Sequence, residues 1–357
     1  MGRKENKPQT LRVFSLWRIL IPVLIGLSFI GFLLYRSWGN TNIDDFSIGN
    51  HPFFYWGIGL TLFLVIVRML AYMYRIIILS KGVLNVKQSF QVISLWEFAS
   101  AVTPSIIGGA AVAMFLLAKE KLSLGKSTAI VLITAFLDEL FFILFAPLLF
   151  FVVGFSAIFP SNEKCLASLS IPYIDNISSE SLMTVFFIGY GILLIYLLII
   201  GYGIFFKPKV IKRLLGRLFS ISVLKRWRKS AIRTGIDVHL TSLQLSKEPF
   251  SFWLKSFIAT SFAWFARYLE ANFIILAIAS NIDHLTVLSR SFVMWIIMMI
   301  PTTPGSSGIA ETAFLATLCE YLLGYGIIIA FLWRLFSYYP YLLIGVLVLP
   351  RWLKRVF

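Results

Sequence analysis

Long apolar runs separated by short basic stretches dominate the sequence. A membrane-crossing helix needs about 20 mainly apolar residues. Six stretches meet that need without interruption, at roughly 17–35, 53–79, 127–158, 182–206, 250–281 and 326–349. Two more, roughly 89–118 and 291–324, are as apolar but carry Pro and Gly in the middle. The pattern predicts an all-α polytopic integral membrane protein, a single transmembrane domain over 1–357. It would have six clear spans plus two Pro/Gly-broken re-entrant elements, up to eight crossings. The 127–158 run exceeds one vertical span, an excess that tilt or a break near Pro147 would absorb. The first run follows a basic N-terminus but lacks an Ala-x-Ala-like exit, so it reads as a retained span and not a cleaved signal.

Composition agrees with this reading. Of 357 residues, 59% are apolar and 13% charged, against about half and about a quarter in soluble chains. The excess apolar surface must face lipid. The net charge of +16 sits in a few loops too small and fragmented to bind nucleic acid. Two cysteines and three scattered histidines form no close-spaced ligand set, and no phosphate-cradling glycine motif occurs. Neither a metal nor a cofactor is expected.

Lys and Arg in the loops set orientation. Residues 1–18, 80–88, 119–126, 207–248 and the tail after Pro350 are basic, whereas 36–52, 160–181 and 282–290 are poor in positive charge. The expected location is a cell (inner) membrane with both termini cytoplasmic. Segment 89–118 then starts and ends on the cytoplasmic side, and 291–324 on the opposite side. Within the basic loop, 207–233 alternates blocks of Val, Ile and Leu with Lys and Arg. That is the pattern of an interfacial cationic helix that holds anionic headgroups, or simply of an orienting loop.

The two breaks align. Thr103-Pro104, Gly108, Ala110 and Ala113 recur as Thr303-Pro304, Gly308, Ala310 and Ala313, 200 residues later. Each lies between two long spans, so 53–158 and 250–349 read as inverted repeat units. Pro removes a backbone donor and Gly permits unusual dihedrals. A backbone opened in this way must be buried in protein or line a wet cavity. Matched broken segments in inverted halves point to a transporter's central site, and the helix beginning after each break aims its amides inward, which suits an anion. Small-residue runs also serve plain helix packing, and that reading stays open.

Charges within spans are costly and have a partner or a task. The candidates are Arg68, Arg75, Glu97, Asp138, Glu139, Arg267, Glu270, Glu311 and Arg334. Arg68 and Arg75, seven apart, share a helix face, and Arg75 is placed either to snorkel to the interface or to pair. Arg267 and Glu270 can pair within their own helix. Asp138 and Glu139 point in different directions, one to pair and one to line a cavity. Arg334 has Glu311 and Asp138 within plausible reach. Glu311, in the first turn after the second break, is either a helix cap or a proton-taking gate.

The stretch Glu97 to Gly109 (EFASAVTPSIIGG), the Asp138-Glu139 pair and the segment Pro301-Thr-Thr-Pro304-Gly305-Ser-Ser-Gly308-Ile-Ala-Glu311 resemble the lysylphosphatidylglycerol synthase transmembrane, or flippase-like, family. Departures are the Thr302-Thr303 pair between the prolines and Ser306 where the family has Gly; Tyr74-Arg75 resembles its Arg-Trp pattern more weakly. The resemblance covers nearly the whole chain, except that no soluble aminoacyl-transfer domain is recognisable. It implies lipid translocation; the arginines suit the phosphate of an anionic lipid or lipid-linked molecule, and with no ATP motif in the sequence movement would be downhill or ion-coupled. Membrane lipids would be the partners, and the nine charges together with Thr103, Pro104, Gly108, Gly109, Pro301, Pro304, Gly305 and Gly308 would form the binding and gating site. The other readings are a membrane-embedded lipid-modifying transferase, with Asp138-Glu139 as base or metal ligands, and a non-catalytic scaffold.

Overall fold

The computed structural model describes residues 51–103, 106–159, 178–203, 243–245, 247–279, 282–299, 306–322 and 325–357, with Ser28, Gly31 and Tyr35. In these residues the chain forms helices joined by turns: α1 Phe54–Leu79, α2 Val86–Val102, α3 Ile106–Lys119, α4 Leu124–Val153, α5 Phe155–Ile158, α6 Ser179–Gly201, α7 Phe250–Leu276, α8 His284–Met298, α9 Ile309–Leu318, α10 Gly326–Ser337 and α11 Tyr339–Val356. The expected span at 17–35 and the amphipathic stretch 207–233 lie outside the described residues, apart from the three isolated positions.

Short polar side chains start four of the described helices. Asn85 accepts from Gln88 N at 2.9 Å while Gln88 accepts from Asn85 N at 3.0 Å, a reciprocal cap on α2. Ser123 caps α4, Ser178 caps α6 and Asp283 caps α8. Four stretches are long and apolar enough to cross a membrane: α1, α4, α6 and the Gly326–Val356 pair α10–α11. The multi-pass, all-α character of the chain follows from them. Helix α7, expected as one of the six clear spans, is long enough at 27 residues but is not among the four. One face of it is interior, with Ser256, Thr260, Glu270 and Asn272 fully buried along it, and it packs along α1. The backbones meet at Gly57, where an added Cβ would lie 2.5 Å from Phe273 O.

Two breaks differ from expectation. Helix α4 runs through Pro147 and ends at Gly154, whose φ of +85° only glycine adopts without strain. The last span divides at Tyr338, because Pro340 in the first turn of α11 has no N–H to continue the ladder.

Both interrupted segments are helical hairpins. Helix α2 stops at Thr103 in extended backbone, and α3 returns beside it. The return is close because Gly109 faces Ser100; a Cβ there would lie 2.2 Å from Ser100 Oγ. Helices α8 and α9 form the second hairpin. At about 1.5 Å per residue, the 17 residues of α2 reach most of the way across a bilayer core. The two ends of the first hairpin meet where Gln88 donates to Glu120 at 2.9 Å, beside the start of α4. The second hairpin closes at the far end of α4, where Arg290 donates to Ala157 O at 2.8 Å and to Thr317 O at 3.3 Å. The hairpins therefore enter the bundle from opposite ends.

Candidate functional site

Every intramembrane arginine singled out from the sequence is paired, and each pair crosses between helices. Arg68 on α1 donates from Nη1 to both oxygens of Glu270 on α7, at 2.8 and 3.0 Å. Its Nε donates to Tyr341 Oη at 2.6 Å and its Nη2 to Ser337 O at 3.1 Å. Both partners are shut off from solvent, with side chains 1% and 0% exposed. The expected pairing of Arg267 with Glu270 inside α7 is thus not formed. Arg68 Nη1 occupies both oxygens of Glu270, and Arg267 turns instead to Glu97 of α2 at 3.0 Å.

Arg75 does not snorkel. It is buried, and its Nη1 donates to Asp138 Oδ1 of α4 at 2.5 Å and to Thr260 Oγ1 at 3.1 Å. Trp264 Nε1 donates to the same Asp138 oxygen at 2.8 Å. Asp138 is therefore the partner of Arg75, and Arg334 is left with Glu311. Glu139, one residue further round α4, is half-buried and makes no hydrogen bond or ion pair among the described residues. The adjacent acids diverge, as their spacing predicts.

These contacts join α1, α2, α4 and α7 into one network, with Tyr72 in electrostatic reach of Arg267, Glu97, Asp138 and Arg75. Arg68, Arg75 and Arg267 are matched by Glu97, Asp138 and Glu270, so the network is formally neutral. Arg267 differs from the other arginines. Its guanidinium lies against the edge-to-face pair Trp264 and Trp295, at 5.1 and 5.2 Å from the ring centres. Its Nε is buried with no hydrogen-bond partner. Arg267 and Glu97 keep 21% and 23% of their side-chain surface open.

The second break carries its own pair. Gly308 adopts φ +89° and its N–H donates to Glu311 Oε2 at 2.6 Å, so Glu311 does cap α9. The other Glu311 oxygen accepts from Arg334 Nε at 2.9 Å, and Arg334 Nη2 donates to Ser306 O at 3.2 Å. The Arg334 fork thus holds the end of the break against the first turn of α9. At the first break, Thr103 Oγ1 donates to Ala99 O at 2.8 Å, and a Cβ on Gly108 would lie 2.7 Å from Thr103 Cβ. Pro104, Pro301, Pro304 and Gly305 lie outside the described residues.

Sequence reasoning missed three charges. Glu120 lies in a stretch that reads as a basic loop, Arg290 and Glu320 near loop ends, yet Glu120 and Arg290 are buried, and Arg290 pairs with Glu320 at 2.8 Å. The available signal was Glu120 and Glu320 themselves, which stand at the same 200-residue spacing as the aligned breaks. The aromatic partners Trp264, Trp295 and Tyr341 had no signal beyond the general abundance of rings.

The family model of the lysylphosphatidylglycerol synthase transmembrane region matches residues 19–345. A UPF0104 membrane protein of Archaeoglobus fulgidus is 26% identical over 260 residues, covering 70% of this chain and 71% of that protein. No solved structure matches the chain.

Proposed function

Starting from the chain's membership of the lysylphosphatidylglycerol synthase transmembrane-region family, we propose that it is a translocator that moves an anionic lipid or lipid-linked molecule between leaflets without ATP. The observation that carries this is the open pair Arg267–Glu97. Buried charges are normally satisfied in full, and Arg68 is. Arg267 instead keeps a donor unspent and part of its surface open, against two indole rings and beside the first broken hairpin. A guanidinium so held is suited to an oxygen-rich anion, such as the phosphate of a lipid headgroup. Glu97 holds the charge in balance while the site is empty, and an arriving anion would compete with it for Arg267.

The units 53–158 and 250–349 form the inverted halves of this translocator. Exchanging them maps the α1–α2 contact on α7–α8, the hairpin α2–α3 on α8–α9, and the α3–α4 contact on α9–α10. It also maps α11 against α2 on α4 against α8. The basic loops support a cell (inner) membrane location with both termini cytoplasmic and 207–248 near anionic headgroups.

Leaflet exchange in reconstituted vesicles is the test. Labelled phosphatidylglycerol, and a zwitterionic control, would be followed with dithionite quenching, with and without a pH gradient. Faster exchange than in empty vesicles, abolished by Arg267→Ala in protein that folds normally, is the expected result. Exchange no faster than in empty vesicles for every headgroup would remove the proposal. Normal exchange in folded Arg267→Ala, Arg75→Ala and Glu311→Gln would leave these charges a scaffold role.

A further inference from the structure

We propose that two arginine clasps, Arg355–Glu120 at one end of the bundle and Arg290–Glu320 at the other, are the gates of the molecule and open in alternation. The inference rests on the translocator reading and names its moving parts.

At the first end, Glu120 is almost completely buried and accepts from Gln88 Nε2 at 2.9 Å, Trp352 Nε1 at 2.9 Å and Arg355 Nη1 at 2.8 Å, with Arg355 Nη2 also donating to it. Arg355 Nε reaches Gln91 Oε1 at 2.9 Å. The last turn of α11, which closes the second unit, is thereby fastened to the mouth of the first unit's hairpin. At the opposite end the roles are exchanged. Arg290 binds Glu320 at 2.8 Å and Thr317 O at 3.3 Å, both at the end of the second hairpin. Its Nε donates to Ala157 O at 2.8 Å, in α5 at the close of the first unit. In each case one arginine ties the hairpin mouth of one unit to the closing helix of the other. Glu120 and Glu320 stand 200 residues apart, like the two breaks.

Two physical features make these pairs gates and the deeper ones a fulcrum. A buried ion held by three or four donors or acceptors loses its partners together, so the clasp has two arrangements and not a continuum. Each clasp also has one member already in contact with water: Arg355 is 31% exposed and Glu320 is 37% exposed. An opening clasp can hand that charge to solvent. Arg68 and Glu270 have no such outlet, and separating them would strand two charges in an apolar interior.

The test uses full-length protein in vesicles and a membrane-impermeant maleimide applied from each side. Reporter cysteines replace Ser94, one turn behind the first clasp, and Ser291, behind the second; both serines are fully buried. Glu120→Gln should raise labelling of the Ser94 reporter roughly 5–30-fold, without raising that of the Ser291 reporter. Arg290→Gln should do the reverse, from the opposite side. Arg355→Gln and Glu320→Gln change the partly exposed partners and should reproduce the two patterns if the first variants fold poorly. Labelling that stays unchanged in all four, or rises at both reporters together, overturns the inference. The readout needs no lipid movement. Clasps that behave as expected in a protein without exchange would sink the translocator reading alone, and normal exchange with unmoved reporters would sink the clasps alone.

Discussion

Arg68 and Arg267, facing different ways from neighbouring helices, show how little residue spacing says about pairing. The i,i+3 relation of Arg267 and Glu270 was a correct statement about helix geometry, yet Glu270 is taken by Arg68 from 202 residues away. Such partners are fixed by the packing of α1 on α7, and nothing local to either segment encodes them. The charges themselves were legible, because any ionisable residue in an apolar run stands out. The partner of Arg334 was legible only as a choice between Glu311 and Asp138, which the packing of α10 on α9 decides for Glu311. The two pairs should respond differently to mutation. Removing one partner of a fully buried pair costs about 3–5 kcal/mol, so Arg68→Met or Glu270→Leu alone should sharply lower the thermal midpoint in detergent, followed by fluorescence-detected size exclusion. The double variant Arg68→Met/Glu270→Leu should recover a large part of the loss. Glu97→Gln should cost less, because Glu97 keeps 23% of its side chain open and the amide can still accept from Arg267; a midpoint drop as large as that of Glu270→Leu would contradict this.

At the scale of elements, the hydrophobic pattern located most of the described helices, and the Pro/Gly signals marked the hairpins. What it misjudged were ends. Gly154 stops α4 because the chain turns through positive φ there, while Pro147, the stronger sequence signal, sits inside an unbroken helix. Glycines at close crossings were also silent, since a sequence does not show what lies opposite. Gly345 is one: an added Cβ would meet Phe98 Cγ at 2.3 Å and Phe98 Cβ at 2.4 Å. Phe98 is fully buried on α2 and cannot move aside, so Gly345→Ala must push α11 from the first hairpin. The expected cost is about 1–3 kcal/mol, read as a lower thermal midpoint. Gly308→Ala meets no steric neighbour, but its φ of +89° strains any L side chain, by about 1–3 kcal/mol. Because that strain sits beside the Glu311–Arg334 pair, Gly308→Ala should depress lipid exchange more than Gly345→Ala does at equal loss of stability. Equal exchange rates at matched stability would argue that the break has only a packing role.

For the whole molecule, the decisive relation is between the two halves. A helical bundle held only by apolar packing has no preferred way to move, because lipid tails are as apolar as its own side chains. Here the interface between halves carries directional bonds instead: the fixed Arg68–Glu270 pair near the middle, Arg355–Glu120 toward one end, and toward the other the bond from Arg290 to Ala157 O. Rocking about a fixed centre then lengthens one clasp while preserving the other, which is what alternate opening requires. The idea depends on the hairpins entering from opposite faces of the membrane, a relation that can be measured directly. Single cysteines at Ser105 and Ser306, one at each break, would be labelled with an impermeant reagent from either side of sealed, oriented vesicles. With the inverted arrangement, the two positions should differ in the side from which they react, and Glu120→Gln and Arg290→Gln should enhance them selectively. Reaction of both from one and the same side in every variant would mean that the hairpins share a face. The symmetry between Glu120 and Glu320 would then reduce to a coincidence of spacing, and the rocking scheme would have no axis to turn on.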